Sequence, residues 1–220
     1  MFSQVFSFAT VGMGVISIIK RALDLTVAGV LIVLLMPLLI IVGVAVAANM
    51  GRPVFFQQLR AGLNGRPFYM YKFRTMTNTC DENGILLPPD ERITAFGRFL
   101  RSTSFDELPE LFNIIKGDMS MVGPRPLILK YLDRYTPEER RRHEVKPGLT
   151  GWAQINGRNA ITWEERFALD IWYVDNHSLW LDIKIIALTI WKVLTRQGIS
   201  SNEDISMPEY MGKGSTGAEL

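Results

Sequence analysis

The sequence predicts a helix-rich α/β protein that is monotopic in the membrane, with one broken apolar segment entering and leaving by the same face and a small globular domain lying on that face. Three observations carry this expectation. Leu25 to Ala48 is a run of 24 residues without a charge, ~36 Å long as a straight helix at ~1.5 Å per residue, which is enough to cross a bilayer. Pro37 falls inside the run, where it costs a helix about 3 kcal/mol by removing an N–H and crowding the turn before it. Basic residues flank both ends, Lys20 and Arg21 before and Arg52, Arg60, Arg66, Lys72 and Arg74 after, and the positive-inside rule draws both ends to the cytoplasm.

Taken in order, residues 1–19 are uncharged but carry Ser3, Gln4, Ser7, Thr10 and Ser17. They read as an interfacial lead or an extra membrane element. A cleaved signal peptide is disfavoured because the charges follow the apolar stretch. Residues 20–50 read as a re-entrant helix broken near Pro37, each half of ~12 residues reaching ~18 Å, about half of the hydrocarbon thickness; a kinked spanning helix is the alternative. Residues 51–199 turn globular. "FYMYKF" has strand alternation that sets Lys72 and Arg74 on one face, and a polar, turn-rich segment runs from Thr77 to Arg92. "TPEERRRHEVKPG" reads as a helix with Thr136 as cap and Pro137 at its first position, ended by Pro147 and Gly148. Its Arg140, Arg141 and Arg142 form a solvated face, or one laid against anionic lipid. A capping box at Thr162 and Glu165 starts another helix. "LWLDIKIIALTIWKVL" is apolar nearly all round yet carries Asp182, Lys184 and Lys192; Trp180 and Trp191 suit an interfacial helix, with a core helix as the other reading. Residues 200–220, rich in Gly, Ser and acid, read as an ordered edge fading into a mobile tail.

Composition narrows the chemistry. A chain of 220 residues with 48% apolar content suffices for one domain with a real core. A net charge of +2 demands no nucleic-acid partner. Cys80 is the single cysteine and His143 and His177 the two histidines, which excludes a disulfide framework, a multi-cysteine zinc site and a histidine-rich metal centre. The work falls on Asp, Glu, Lys and Arg.

The segment "RSTSFDELPELFNIIKGDMSMVGPRP" sets Asp106 beside Glu107. Ser104-x-x-Glu107 ahead of Leu108, Leu111, Phe112 and Ile115 has the form of a capping box with a helical stripe, and a start with Asp106 as cap and Pro109 at N3 is equally allowed. On that reading the carboxylates only complement the helix dipole. Their surroundings suggest more. Arg98 and Arg101 lie just upstream, and Arg125 is held between Pro124 and Pro126 in extended backbone, either as a structural arginine or for bidentate recognition of phosphate. "KPGLTGWAQINGRN" supplies glycines beside Arg158 that would bring backbone N–H groups to an anion, without the spacing of a P-loop. Together these features fit a membrane-associated phosphotransfer enzyme.

The stretches "KRALDL", "YKFRTM", "RSTSFDELPELFNIIKGDMSMVGPRP", "RHEVKPGLTGWAQINGRN" and "LDIKIIALTIWKVL" resemble, in order from about Lys20 to Gly198, the small form of the bacterial sugar transferase family, the monotopic phosphoglycosyl transferases. The resemblance implies transfer of a sugar 1-phosphate from a UDP-sugar to polyprenyl (undecaprenyl) phosphate with release of UMP, Mg²⁺ as cofactor, and a place on the cytoplasmic face of the inner membrane at the first membrane step of glycoconjugate assembly. It implies that Asp106 is the nucleophile, forming a phosphosugar-enzyme intermediate, and Glu107 a catalytic metal ligand. Lys72 and Arg125 would bind phosphate, Pro124 and Pro126 would frame the uridine side, and Arg158, in the glycine-rich motif, would also bind substrate. Many members carry serine before the membrane proline, whereas this chain has Met36, so no hydroxyl is there to satisfy backbone freed by a break. The rival readings are a polyprenyl-phosphate phosphatase and a non-catalytic membrane scaffold for glycosyltransferases.

Overall fold

The computed structural model describes residues 2–157, 161–195 and 209–212. Helix α1, Phe2–Met50, runs without interruption through Lys20 and has Pro37 inside it, so the boundary read between residues 19 and 20 falls within a helix. Met50 is followed by Gly51 with φ +73°, a left-handed residue that ends the helix. Only 17% of the most apolar window in Ser17–Met50 is buried. Val33, Leu34, Ile40, Ile41 and Val44 are all exposed, which is the pattern of a helix solvated by lipid and not that of a soluble core.

The remaining face of α1 is built into the globular part at two places. Near its start, Lys20 Nζ pairs with Asp182 Oδ2 at 2.6 Å and donates to the carbonyl of Val122. Arg21 donates to the carbonyls of Ile114 and Ile115. Buried Asp24 accepts from Ser120 Oγ and the Met121 N–H through Oδ1. The next turns, Val27, Ala28, Leu31 and Ile32, join the largest apolar cluster. Leu39, Val42, Val46 and Met50, at spacings of three and four, enter a second cluster with Phe73 and Leu100. Pro37 lies between the two packed stretches, beside exposed Val33, Leu34 and Met36.

Strands β1, Phe55–Ala61, and β2, Pro67–Phe73, form an antiparallel hairpin in the register Phe55 opposite Phe73. Its turn uses Asn64 and Gly65 in the left-handed region. A short helix α2, Pro89–Arg92, follows the turn-rich segment, and Thr94 caps α3, Ala95–Ser102, through the Gly97 N–H. Gly97 is required: a Cβ there would stand 1.9 Å from the Thr75 carbonyl oxygen, so only glycine lets α3 lie on the exit of β2. Helix α4, Glu110–Lys116, leads to β3, Ser120–Val122. After α5, Pro137–Arg140, comes β4, Gly148–Thr150, which pairs with β3 in parallel. Helices α6, Trp152–Asn156, α7, Trp163–Asn176, and α8, Leu179–Leu194, complete the described chain.

Several expectations hold and several need correction. The capping box at Thr162–Glu165 is formed, and Thr136 caps α5 with Glu139 completing a box not read from the sequence, but that helix ends at Arg140 and gives way to a 3₁₀ turn well before Pro147. Helix α8 has both of the characters read from its sequence: Leu181 and Ile185 are core, while Trp180, Ile183, Ile190 and Trp191 face outward. The three arginines at 140–142 are not one solvated face, because Arg142 is buried and pairs with Asp170 at 2.7 Å. Of the 200–220 segment only 209–212 are described, and there Tyr210 is buried among Tyr131, Tyr135, Trp163 and Phe167, donates to Glu139 Oε2, and has its carbonyl held by Arg134.

His143, just beyond α5, donates from Nδ1 to the carbonyl of Gly62 at 3.1 Å, and its Nε2 is buried without a partner. Burial, with Arg142 beside it, lowers its pKa to about 4. Between the ordinary value near ~6.5 and this lowered one, the unfolded chain takes up a proton that the folded chain refuses, so stability is complete above ~6.5 and falls as the pH drops. The expected contribution is about 2 kcal/mol lost between pH 7.5 and 5, measured as the difference in unfolding free energy in micelles. His143→Phe should lose about that much less over the same interval; equal losses would refute the assignment.

Candidate active site

The carboxylates sit on a 3₁₀ turn, Phe105–Glu107, and not at the first turn of an α-helix. Ser104 takes the left-handed conformation (φ 57°, ψ 19°) and makes no capping hydrogen bond, and Pro109 occupies the N-cap of α4. Both helix starts read from the sequence are therefore corrected. The physical reason is tertiary: Phe105 and Leu108, on either side of the pair, pack on the second half of α1 with Phe73 and Leu100. That packing twists the turn away from a regular helix and stores backbone strain at Ser104.

Asp106 is 8% exposed, and among the described residues its carboxylate accepts no hydrogen bond. Burial, reinforced by the charge of Glu107, raises its pKa to about 6, with Lys72, Arg125 and Arg101 opposing. Glu107 has the reverse environment. Its Oε1 accepts from Lys72 Nζ at 2.6 Å and from Arg125 Nη2 at 2.5 Å. Burial favours protonation, yet the two cations overcome it and hold this carboxyl well below the ordinary range. Adjacent carboxylates are thus driven apart, one easily protonated and one firmly ionised.

Lys72 arrives from the end of β2 away from the hairpin turn, on the face that also buries Phe68 and Met70. Arg74, expected on the same face, points elsewhere and donates to the carbonyl of Pro53. Arg125 arrives on the loop after β3, which is held by three contacts. Gly148 N–H donates to the Pro124 carbonyl. Arg142 donates to the Arg125 carbonyl at 2.8 Å while clasping Asp170. Arg60 reaches the Pro126 carbonyl. In the glycine-rich motif, Gly148 packs closely on the loop that carries Arg125. The Gly123 and Gly148 N–H groups are used by Thr150 and Pro124, and a Cβ on Gly148 would stand 2.1 Å from Gly123 N. These glycines let β4 press against the Arg125 loop. Arg158 lies outside the described residues. Arg98 donates to the Ile93 carbonyl, whereas Arg101, bound to Thr75 Oγ1, is among the charges acting on Asp106.

Two site residues were missed in the sequence. Glu110 is fully buried; its Oε1 lies 3.3 Å from Lys72 Nζ, without the alignment of a hydrogen bond, and burial raises its pKa to about 7. Its position three residues after Glu107 was the available signal. Arg60, lowered to about 10 by burial and by Arg125 beside it, is paired in register with Phe68, an alternation legible only once β1 is placed.

The donor set suits a hard cation. Both hydrogen bonds to Glu107 use Oε1, which leaves Oε2 for a metal. The described residues hold no cluster of three or more metal-ligating side chains. A Mg²⁺ ion held through Glu107 would therefore have to complete its shell with water and substrate phosphate oxygens.

Residues 15–196 match the model of the family described as bacterial sugar transferase. The chain is 52% identical over 197 residues to an uncharacterized sugar transferase, EpsL, of Bacillus subtilis, a match covering 90% of this chain and 98% of that protein. It is 40% identical over 189 residues to the UDP-glucose:undecaprenyl-phosphate glucose-1-phosphate transferase of Klebsiella pneumoniae, covering 81% of this chain and 41% of the relative. It is 39% identical over 197 residues to the undecaprenyl-phosphate galactose phosphotransferase of Salmonella typhimurium, covering 82% and 41%. The chain thus spans nearly all of the Bacillus protein and about two fifths of the other two. With the paired carboxylates, the flanking cations and the lipid-exposed helix in place, the chain belongs to the bacterial sugar transferase family and is, by that membership, a phosphoglycosyl transferase.

Proposed function

We propose that this protein transfers a sugar 1-phosphate from a UDP-sugar to polyprenyl phosphate at the cytoplasmic face of the membrane. The observation that carries this reading is the divided pair: Asp106 is buried without a hydrogen bond, next to a Glu107 that Lys72 and Arg125 keep ionised. An Asp106 carboxylate oxygen attacks the β-phosphorus of the UDP-sugar. The bond from that phosphorus to the bridging oxygen breaks, and UMP leaves with the electron pair. A phosphate oxygen of the acceptor then attacks the same phosphorus, breaks the bond to Asp106, and gives polyprenyl diphosphate sugar with the carboxylate restored. Lys72 and Arg125 offset the repulsion between carboxylate and diphosphate. Mg²⁺, held through Glu107, supplies further charge neutralisation on the diphosphate when bound. Pro124 and Pro126 frame the uridine side by stiffening the Arg125 loop, and Arg158 adds substrate contact.

The same reading makes α1 re-entrant at Pro37. Its support is that both Lys20–Ile32 and Leu38–Met50 carry residues packed on the globular part, whereas a spanning helix needs ~30 Å of continuous lipid exposure. UMP release across a panel of UDP-sugars with undecaprenyl phosphate tests the reaction. Relatives of nearly equal identity are named for glucose and for galactose, so both belong in the panel. Release of inorganic phosphate in place of UMP would establish a phosphatase instead. Cysteines at positions 20 and 52 should react with the same impermeant reagent from the same side, and opposite-side labelling would sink the re-entrant path.

A further inference from the structure

A groove of about 460 Å³ runs between the second half of α1 and the β1–β2 hairpin. Leu39, Ile40, Gly43 and Val44 form one wall, Phe55 and Phe73 the other, and Arg52 is the one charged residue in its lining. The groove stays open because of Gly43, where an added Cβ would stand 3.8 Å from both Phe73 and Val54, so any longer side chain would project into the space. Phe55 and Phe73 stack with centroids 5.4 Å apart, which makes the opposite wall flat. Val44 and Ile40 are more than half exposed. Arg52 is exposed and has no hydrogen-bond or ion-pair partner among the described residues.

This groove shares its walls with the reaction centre. Phe73 follows Lys72 directly on β2, so one face of the strand end carries the lysine to Glu107 while the other closes the groove. Phe105 and Leu108, which bracket the carboxylate pair, pack on the same stretch of α1. A long apolar slot with one unpaired cation at its edge is complementary to a ligand with one hydrocarbon chain and one phosphate.

We propose that the groove seats the isoprenyl chain of the polyprenyl phosphate acceptor, with Arg52 at the edge of the groove binding its phosphate; the inference rests on the transfer reaction above. A flat aromatic wall opposite a glycine gives a methyl-branched, unsaturated chain close dispersion contact. A bilayer phospholipid carries two chains for the single slot.

The test uses the full chain in nanodiscs of phosphatidylethanolamine and phosphatidylglycerol, with p-benzoylphenylalanine at position 44 and with or without undecaprenyl phosphate. Irradiation and mass spectrometry should yield a polyprenyl adduct whenever that lipid is present. Phospholipid adducts alone, with undecaprenyl phosphate present, would overturn the assignment. In a second arm, Val44→Trp and Arg52→Gln should each raise the KM for undecaprenyl phosphate roughly tenfold, the equivalent of a few buried methylenes or one charge-assisted contact. An unchanged acceptor KM in both would also overturn it. If the unaltered protein neither releases UMP nor is labelled by a UDP-sugar, the transfer reaction itself has failed, independently of the groove.

Discussion

Asp106→Asn is expected to abolish covalent capture of the phosphosugar from a labelled UDP-sugar and to lower turnover by roughly 10⁴-fold or more, the scale seen when a nucleophile is removed. Asparagine has the same shape, but its amide oxygen is a poor nucleophile and carries no charge to attack with. Fold disruption is not the cause expected, because the Asp106 carboxylate accepts no hydrogen bond from the described residues and its burial disfavours the charge it carries. Unfolding in micelles should therefore be unchanged or shifted slightly upward. The measurement is denaturing gel autoradiography after incubation with UDP-sugar labelled at the β-phosphate. A labelled band at wild-type intensity in Asp106→Asn would remove this residue from the mechanism.

Asp170→Asn should have the largest effect on stability, about 3–5 kcal/mol, because it leaves Arg142 charged and unpaired in the interior. Both side chains of that pair are almost fully buried, at 1% and 2% exposure. Arg142 also donates to the carbonyl of Arg125, which makes it a positioning residue for the loop that holds Glu107. The contrast is the double variant Arg142→Met with Asp170→Leu. Replacing a buried ion pair by apolar residues is often nearly neutral, so its stability should return to within ~2 kcal/mol of the parent. Its Arg125 loop would still lack the donor, so the KM for the UDP-sugar should stay raised although the fold is restored. Recovery of both stability and KM in the double variant would make the pair structural only.

Local signals translated well where the chemistry was local. Thr136 and Thr162 each find a glutamate three residues on and both boxes close, the first with Tyr210 also donating to Glu139 Oε2. Ser104 has the same signature and fails, because Phe105 and Leu108 are taken by apolar partners on α1 far back in the chain. Arg142 read as one of three surface arginines since its partner Asp170 lies 28 residues on, beyond any short-range pattern. The glycines around Gly148 were legible as places of close approach, but what approaches them, Gly123 and the Arg125 loop, is a product of strand pairing. Lys72, Glu107 and Arg125 were named from motif resemblance, and the structure brings both cations within hydrogen-bond distance of Glu107. Glu110 and Arg60 were hidden by the absence of a register.

The bonds from Lys20, Arg21 and Asp24 to α8, α4 and β3 mean that no scissors placed near residue 51 would free a soluble enzyme. Ala28 is wholly enclosed by residues of the globular part, so a fragment lacking α1 would carry an open slot lined by Leu111, Ile114 and Met121. Helix α1 precedes the elements that pack on it, so during synthesis those later elements close around its inner face. The bilayer serves as the template on which this enzyme's interior is assembled, and anyone purifying it must keep a substitute for that template from the first step.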